Sequence, residues 1–115
     1  MSNRQPDLVA LGRLLLILNE FRKAYPEMPV QMAATLVTVA HYPGLSVTEL
    51  ANLSGNTLAS CSRHLETLGP YNEVKKVGLG LIEKGYSPSD RRKQIHNLSP
   101  AGASLVRSVV DVINR

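Results

Sequence analysis

Residues 46–68 read SVTELANLSGNTLASCSRHLETL, and this stretch decides the fold. Ser46 stands where a helix cap is needed, and Glu49 follows three residues later. That is the spacing of a capping box, so a short helix is expected over 47–53. Ser54, Gly55 and Asn56 supply a tight turn, and Thr57 is placed to cap a second helix ending near Leu68-Gly69-Pro70. On this second helix Leu58, Cys61, Leu65 and Leu68 fall on one side, which is expected to face inward. A step of about 100° per residue puts Asn56, Ala59, Ser60, Arg63 and Thr67 on the opposite side. Two short helices joined by a tight turn form a helix-turn-helix, whose second helix can lie in a DNA major groove about 12 Å wide.

The outward set fits that role. Small residues let a helix approach base edges closely. Arg63 can bond guanine through two hydrogen bonds, Ser60 can reach a base or a phosphate, and Ala59 can touch a thymine methyl. Thr57 and the free N–H groups at the helix start suit a phosphate. The candidate reading residues on this helix are therefore Asn56, Thr57, Ala59, Ser60 and Arg63. An ordinary solvated helix face has the same composition, so the segment that follows carries weight.

That segment is GLGLIEKGYSPSDRRKQIHNLSPAG, residues 78–102. Residues 79–86 read as a strand, Ser87-Pro88-Ser89-Asp90 as a turn, and 92–98 as a returning strand with Ile95 and Leu98 near its inner face. Asp90, Arg91, Arg92 and Lys93 sit at the tip of this hairpin, flanked by Lys84 and His96 on the strands. A basic tip beside a reading helix can reach the neighbouring minor groove, whose negative potential attracts arginine. Asp90 is negative, and its expected role is internal: to hold Arg92 or a backbone N–H and stiffen the tip. The candidate wing residues are Lys84, Asp90, Arg91, Arg92 and Lys93. The segment 69–77 between the reading helix and the hairpin is polar and basic. Its Lys75 and Lys76 read equally as phosphate contacts or as a solvated loop.

Outward from this centre, Asp7 can cap a helix over 8–24, rich in leucine on more than one stripe. A helix apolar on most sides is buried on most sides, so a second subunit is expected to cover part of it. Pro26 and Pro29 separate it from a second helix over 30–41, where Met32, Leu36, Val39 and Ala40 keep a helical repeat. Pro43-Gly44 then breaks the chain. Ser99-Pro100 opens a last helix over 100–113, with proline at its first position. The expected fold is mainly α with a small β-hairpin (α+β): a winged helix-turn-helix in the order α-α-α-α-β-β-α. A single domain is expected over 1–115, with the helix-turn-helix at 46–68, the wing at 79–98, and helices 8–24 and 100–113 serving dimerisation.

Bulk properties agree with this reading. The 115 residues suit one domain, and 43% hydrophobic with 19% charged residues is globular composition. The net charge of +4 and pI near 9.5 favour a polyanionic partner. One cysteine makes no internal disulfide, and no leader or membrane-length apolar run is visible, so a cytoplasmic protein without membrane attachment is expected.

The run GLSVTELANLSGNTLASCSRHLETL, then GLIEK and SDRRKQIHNLSPAG, resembles the multiple-antibiotic-resistance regulator (MarR) family. Its most specific part is Asp90 and Arg92 followed by Leu98, Ser99, Pro100 and Gly102. The resemblance covers about residues 28–106. It implies a homodimer on a pseudo-palindromic double-stranded DNA operator, usually as a repressor. It also implies 57–68 as recognition helix, Asp90 as a brace for the wing and Arg92 in the minor groove. Family members continue through further C-terminal helices that complete their dimer. Here the first and last helices are expected to carry that contact. The segment 69–77 is longer than the family's usual connection. A small-molecule effector, bound in the family between its DNA-binding and dimerisation parts, stays open.

Other chemistries find little support. Cys61 lies on the inward stripe and reads as packing instead of a redox sensor. His41, His64 and His96 are scattered, with no cysteine or carboxylate at ligand spacing, so no metal is expected. No glycine-rich phosphate loop, HExxH run or nucleophile elbow occurs, so neither an enzyme nor a cofactor is expected. The alternatives are a winged-helix plasmid or phage replication or partition factor, and a protein-interaction module that has lost DNA binding.

Overall fold

The computed structural model describes residues 5–115. The elements follow the expected order: α1 (Leu8–Ala24), α2 (Val30–His41), α3 (Val47–Ser54), α4 (Leu58–Leu68), β1 (Ile82–Ser87), β2 (Asp90–Leu98) and α5 (Pro100–Ile113). Local chemistry sets most boundaries. Asp7 caps α1 by accepting from the Ala10 N–H at 3.0 Å. Ser46 and Glu49 complete a reciprocal capping box at the start of α3, and Gly55 ends that helix in the left-handed region at φ 75°. Thr57 caps α4, and Ser99 caps α5 with Pro100 at its first turn.

The core lies where α2, α3 and α4 meet beneath the hairpin. Leu36, Val39, Leu50, Cys61 and Leu68 are fully buried there, joined by Leu65, Leu81 and Ile82. Each helix contributes one apolar stripe, which brings α3 and α4 against α2. The helical repeat anticipated on α2 is present, and it also buries Thr35, a polar residue on the same face.

Three expectations need correction. Leu58 is exposed although it lies on the side of the buried stripe, because it is the first residue of α4 and burial on this helix begins only at Cys61. Residues 79–81 do not join the hairpin. Their N–H groups donate to carbonyls of Thr67, Gly69 and Leu68 at 2.7–2.8 Å, so they are sewn to the end of α4 and the strand starts at Ile82. On β2, Leu98 packs against the core but Ile95 does not share its face; the buried neighbour is His96. Side chains alternate along a strand, so Ile95 and Leu98 could not both point inward without a bulge between them.

The Leu98-Ser99-Pro100-x-Gly102 run has a physical explanation. Ser99 donates its N–H to the Leu81 carbonyl at 3.0 Å and its hydroxyl to the Gly80 carbonyl at 2.6 Å. The same hydroxyl oxygen accepts from the Gly102 N–H at 3.0 Å. A Cβ on Gly102 would run into the Leu81 carbonyl oxygen. The first turn of α5 thus lies directly on the root of the hairpin, and only glycine allows that approach.

α1 and α5 pack on each other at the far side. Only Phe21 of α1 is buried, while Leu8, Val9, Leu11, Leu14, Leu15, Leu16 and Leu18 are exposed. The radius of gyration is 15.9 Å and the longest dimension 55 Å. A compact domain of this size has a radius of about 13 Å, so α1 leaves much of its apolar surface uncovered by its own chain.

Candidate nucleic-acid interface

α4 is held by its buried stripe of Cys61, Leu65 and Leu68. Away from that stripe Ala59, Ser62 and Arg63 are exposed, as are Thr57 and Leu58 at the helix start, and Ser60 is half-buried. Thr57 Oγ1 accepts from the Ser60 N–H at 3.1 Å, so its oxygen is already engaged as the helix cap. The N–H groups of Leu58 and Ala59 lie ahead of the first intrahelical donor and remain free to meet an anion. Arg63 lies along the helix surface with Nη2 3.3 Å from Ser60 Oγ. That contact couples two of the expected reading side chains.

Asn56 is placed differently from the other four. Its amide donates to Thr35 Oγ1 on α2 at 3.2 Å, so it faces the protein. Ser62, which is exposed beside Ala59 and Arg63, is missing from the expected reading residues. Stepping from Ala59 in both directions along the helix would have found Ser62.

The wing carries an irregularity that the sequence hides. Tyr86 pairs with Gln94, but the next residue, Ser87, pairs with Asp90. Arg91, Arg92 and Lys93 therefore arch out of the ladder as a bulge, without partners in β1. A bulge frees backbone N–H groups, and Asp90 Oδ1 accepts that of Arg92 at 3.0 Å. The same oxygen lies 3.5 Å from Arg92 Nε. Asp90 thus holds the arginine at its base while the Arg92 side chain is 94% exposed. Tyr86, Ser87, Pro88 and Arg91 border a shallow hollow on the wing, and Tyr86 is an exposed aromatic that the sequence reading passed over.

Not every basic candidate is free. Lys93 Nζ pairs with Glu49 of α3 at 2.9 Å. Lys75 pairs with Glu66 of α4 at 2.6 Å, which pins segment 69–77 to that helix. That segment is a tight turn closed by Asn72, which bonds Val77 through its backbone and accepts from Val74 and Lys75 through its side chain. Lys84 is exposed on β1 opposite His96, and its charge reaches Glu66 and His96.

The three histidines do not converge. His96 is buried, and its Nδ1 and backbone N–H both lie 3.0 Å from the Leu45 carbonyl. A carbonyl only accepts, so Nδ1 carries the proton. Burial lowers its pKa from the ordinary 6.5, and the Lys84 charge adds to this, while the Leu45 bond opposes it. His96 therefore ties β2 to the chain between α2 and α3 and is not part of a basic strand face. His64 on α4 is half-buried, and burial together with Arg63 lowers its pKa. Cys61 is buried, and burial raises its thiol pKa, which leaves it an unreactive packing residue. Among the described residues no helix is long and apolar enough to cross a membrane.

No protein-family model and no curated protein matches this sequence. Solved structures do. The S. aureus MepR–DNA complex superposes with a TM-score of 0.71 at 16% identity, over 93% of this chain and 80% of that one. A MarR family transcription regulator gives 0.63 at 20%, over 89% of this chain and 62% of its own length. Bordetella bronchiseptica BpsR, whose DNA binding is regulated by 6-hydroxynicotinic acid, gives 0.58 at 18%, over 99% and 77%. Likeness at such identities is likeness of fold, and on that ground the chain has the winged helix-turn-helix fold of the MarR-type regulators.

Proposed function

We propose that this protein is a sequence-specific double-stranded DNA-binding transcriptional regulator, working in the cytoplasm as a homodimer and acting as a repressor. The observation that carries the reading is the wing bulge, three consecutive basic residues outside the ladder with Arg92 exposed and braced by Asp90. A solvated turn needs neither the bulge nor the brace. α4 would enter the major groove with Ala59, Ser60, Ser62 and Arg63 toward the bases and the Leu58 and Ala59 N–H groups toward a phosphate. Arg92 and Arg91 would reach the minor groove, with Tyr86 against the sugar-phosphate backbone.

The exposed leucines of α1, with Val110 and Ile113 of α5, support the homodimer, because apolar patches of this extent on a small domain mark an interaction surface. A hollow of about 260 Å³ between α1 and α2 supports an effector site. It is lined by Leu18, Phe21, Met28, Val30 and Ala33, with Arg22 at its edge. An apolar hollow with one guanidinium suits a small aromatic acid.

Selection of bound duplexes from random DNA, with sedimentation of the free protein, tests the reading. An inverted repeat with half-sites about 34 Å apart and a dimer in solution are expected. Enrichment of direct repeats would point to a replication or partition factor, and absence of any enriched duplex would leave a protein-interaction module.

A further inference from the structure

Thr35 is the one fully buried threonine on α2, and three polar groups converge on its hydroxyl. Oγ1 donates its single proton to the Gln31 carbonyl one turn earlier, at 2.9 Å. Both lone pairs are then free to accept. The Asn56 amide donates from the turn before α4 at 3.2 Å. His64 Nδ1, two turns into α4, lies 3.5 Å away. We propose that Thr35 is a positioning residue for the recognition helix, its hydroxyl fixing the roll of α4 on α2 by holding Asn56 ahead of the helix and His64 within it. The proposal rests on the DNA-reading role of α4 given above, and it reassigns Asn56 from the DNA surface to the scaffold.

The need for such a device follows from the packing. Cys61, Leu65 and Leu68 are the buried residues of α4, and apolar contacts carry no direction. A helix on a smooth apolar stripe can roll. A roll of about 10° moves the helix surface by about 1 Å, which suffices to break a two-pronged arginine contact to guanine. Asn56 and His64 bracket the turns that carry Ala59, Ser60 and Arg63, so two directional contacts to one fixed oxygen remove that freedom. The His64 contact also demands a particular tautomer. Thr35 has no second proton to give, so the His64 ring must carry its hydrogen on Nδ1. Burial and Arg63 hold His64 below its ordinary pKa, so the ring is neutral near pH 7 and has one hydrogen to place.

The test compares the wild-type protein with Thr35→Val and Thr35→Ser. Two readouts are taken: the affinity ratio for the selected duplex over a scrambled one, and the nitrogen NMR signals of the His64 ring and Asn56 amide in free protein. Wild type should show His64 protonated at Nδ1 and a slowly exchanging Asn56 amide. Thr35→Val should lose both and lower the affinity ratio about tenfold, the size of one lost buried hydrogen bond. Thr35→Ser, which keeps the hydroxyl, should restore both. A wild-type His64 protonated only at Nε2 with a freely exchanging Asn56 amide overturns the proposal, whether or not the valine variant folds. So does a Thr35→Val protein with an unchanged ratio. If the wild type prefers no duplex, the DNA reading fails, and the two NMR signals still decide the placement of α4.

Discussion

Glu49 Oε1 accepts from two directions at once: from the Ser46 N–H at 3.0 Å and from Lys93 Nζ at 2.9 Å. The first bond closes the cap of α3, and the second ties that cap to the base of the wing bulge. The helix-turn-helix and the wing therefore share one carboxylate. Lys93→Ala should let the wing swing and weaken DNA binding several-fold on all sequences alike, since Lys93 is turned to the protein. Titration of matched and mismatched duplexes checks this, and a change in sequence preference would contradict it. The Lys93 and Ser46 bonds lower the Glu49 pKa from 4.5 to about 2. Its stabilising contribution is complete above pH 4.5 and is lost as the pH falls toward 2. The gap in melting temperature between wild type and Glu49→Gln should close over that window.

Arg63 and Arg92 should fail differently. Arg63→Ala is expected to relax sequence preference at one position of each half-site and to cost about 1–3 kcal/mol on the preferred duplex. Arg92→Ala should weaken binding and flatten its salt dependence while the dimer persists. Repeating the selection from random DNA with each variant separates the two, and equal loss on every sequence for Arg63→Ala would remove it from the bases.

Gly102→Ala places a methyl group against the Leu81 carbonyl, which is backbone and cannot step aside. Alanine normally stabilises a helix relative to glycine by about 1 kcal/mol. Here the sign should reverse, with a loss of about 1–3 kcal/mol from overpacking. Denaturant unfolding of the two proteins measures it, and a more stable alanine variant would refute the close approach of α5 to the wing root.

His96 should make the fold sensitive to mild acid. Its pKa is lowered in the fold, so the neutral ring contributes stability that is complete above 6.5 and is lost as the pH falls below that value. His96→Asn keeps a donor near the Nδ1 position and removes the titration. Between about pH 7.5 and about pH 5.5 the wild type should lose more melting temperature than this variant. Parallel curves would assign the acid sensitivity elsewhere.

The helices were legible because their signals are local. Asp7, Ser46 with Glu49, Thr57 and Ser99-Pro100 mark starts within three residues of the groups they satisfy. Expectations failed where the partner lies far along the chain. Residues 79–81 have the composition of a strand, but their N–H groups go to the end of α4. His96 looks like a surface base until the carbonyl of Leu45, 51 residues away, accepts its Nδ1 hydrogen bond. Asn56 falls on the outward side of a helical wheel, yet it precedes the helix, and its amide turns back to Thr35. The wing bulge is invisible because strand periodicity does not say which residues go unpaired. At the candidate site, the residue types on α4 and at the tip could be read from sequence. Which of the basic side chains are already paired could not, since Glu49 and Glu66 meet Lys93 and Lys75 only in the fold.

The bulge at Arg91, Arg92 and Lys93 also makes the wing the place where a trypsin-like protease enters. Such an enzyme needs a basic side chain on backbone that is free to adopt the enzyme's own extended pairing, and here three consecutive basic residues lie outside the ladder. A cut after Arg92 would leave β2 paired with β1 from Gln94 onward and His96 still bonded to Leu45. The nicked molecule would keep its core, while the tip that carries Asp90 and Arg92 would be parted from Lys93 and its tie to Glu49. Bound DNA would cover the same peptide bonds, so the digestion rate becomes a direct report of whether the wing is occupied.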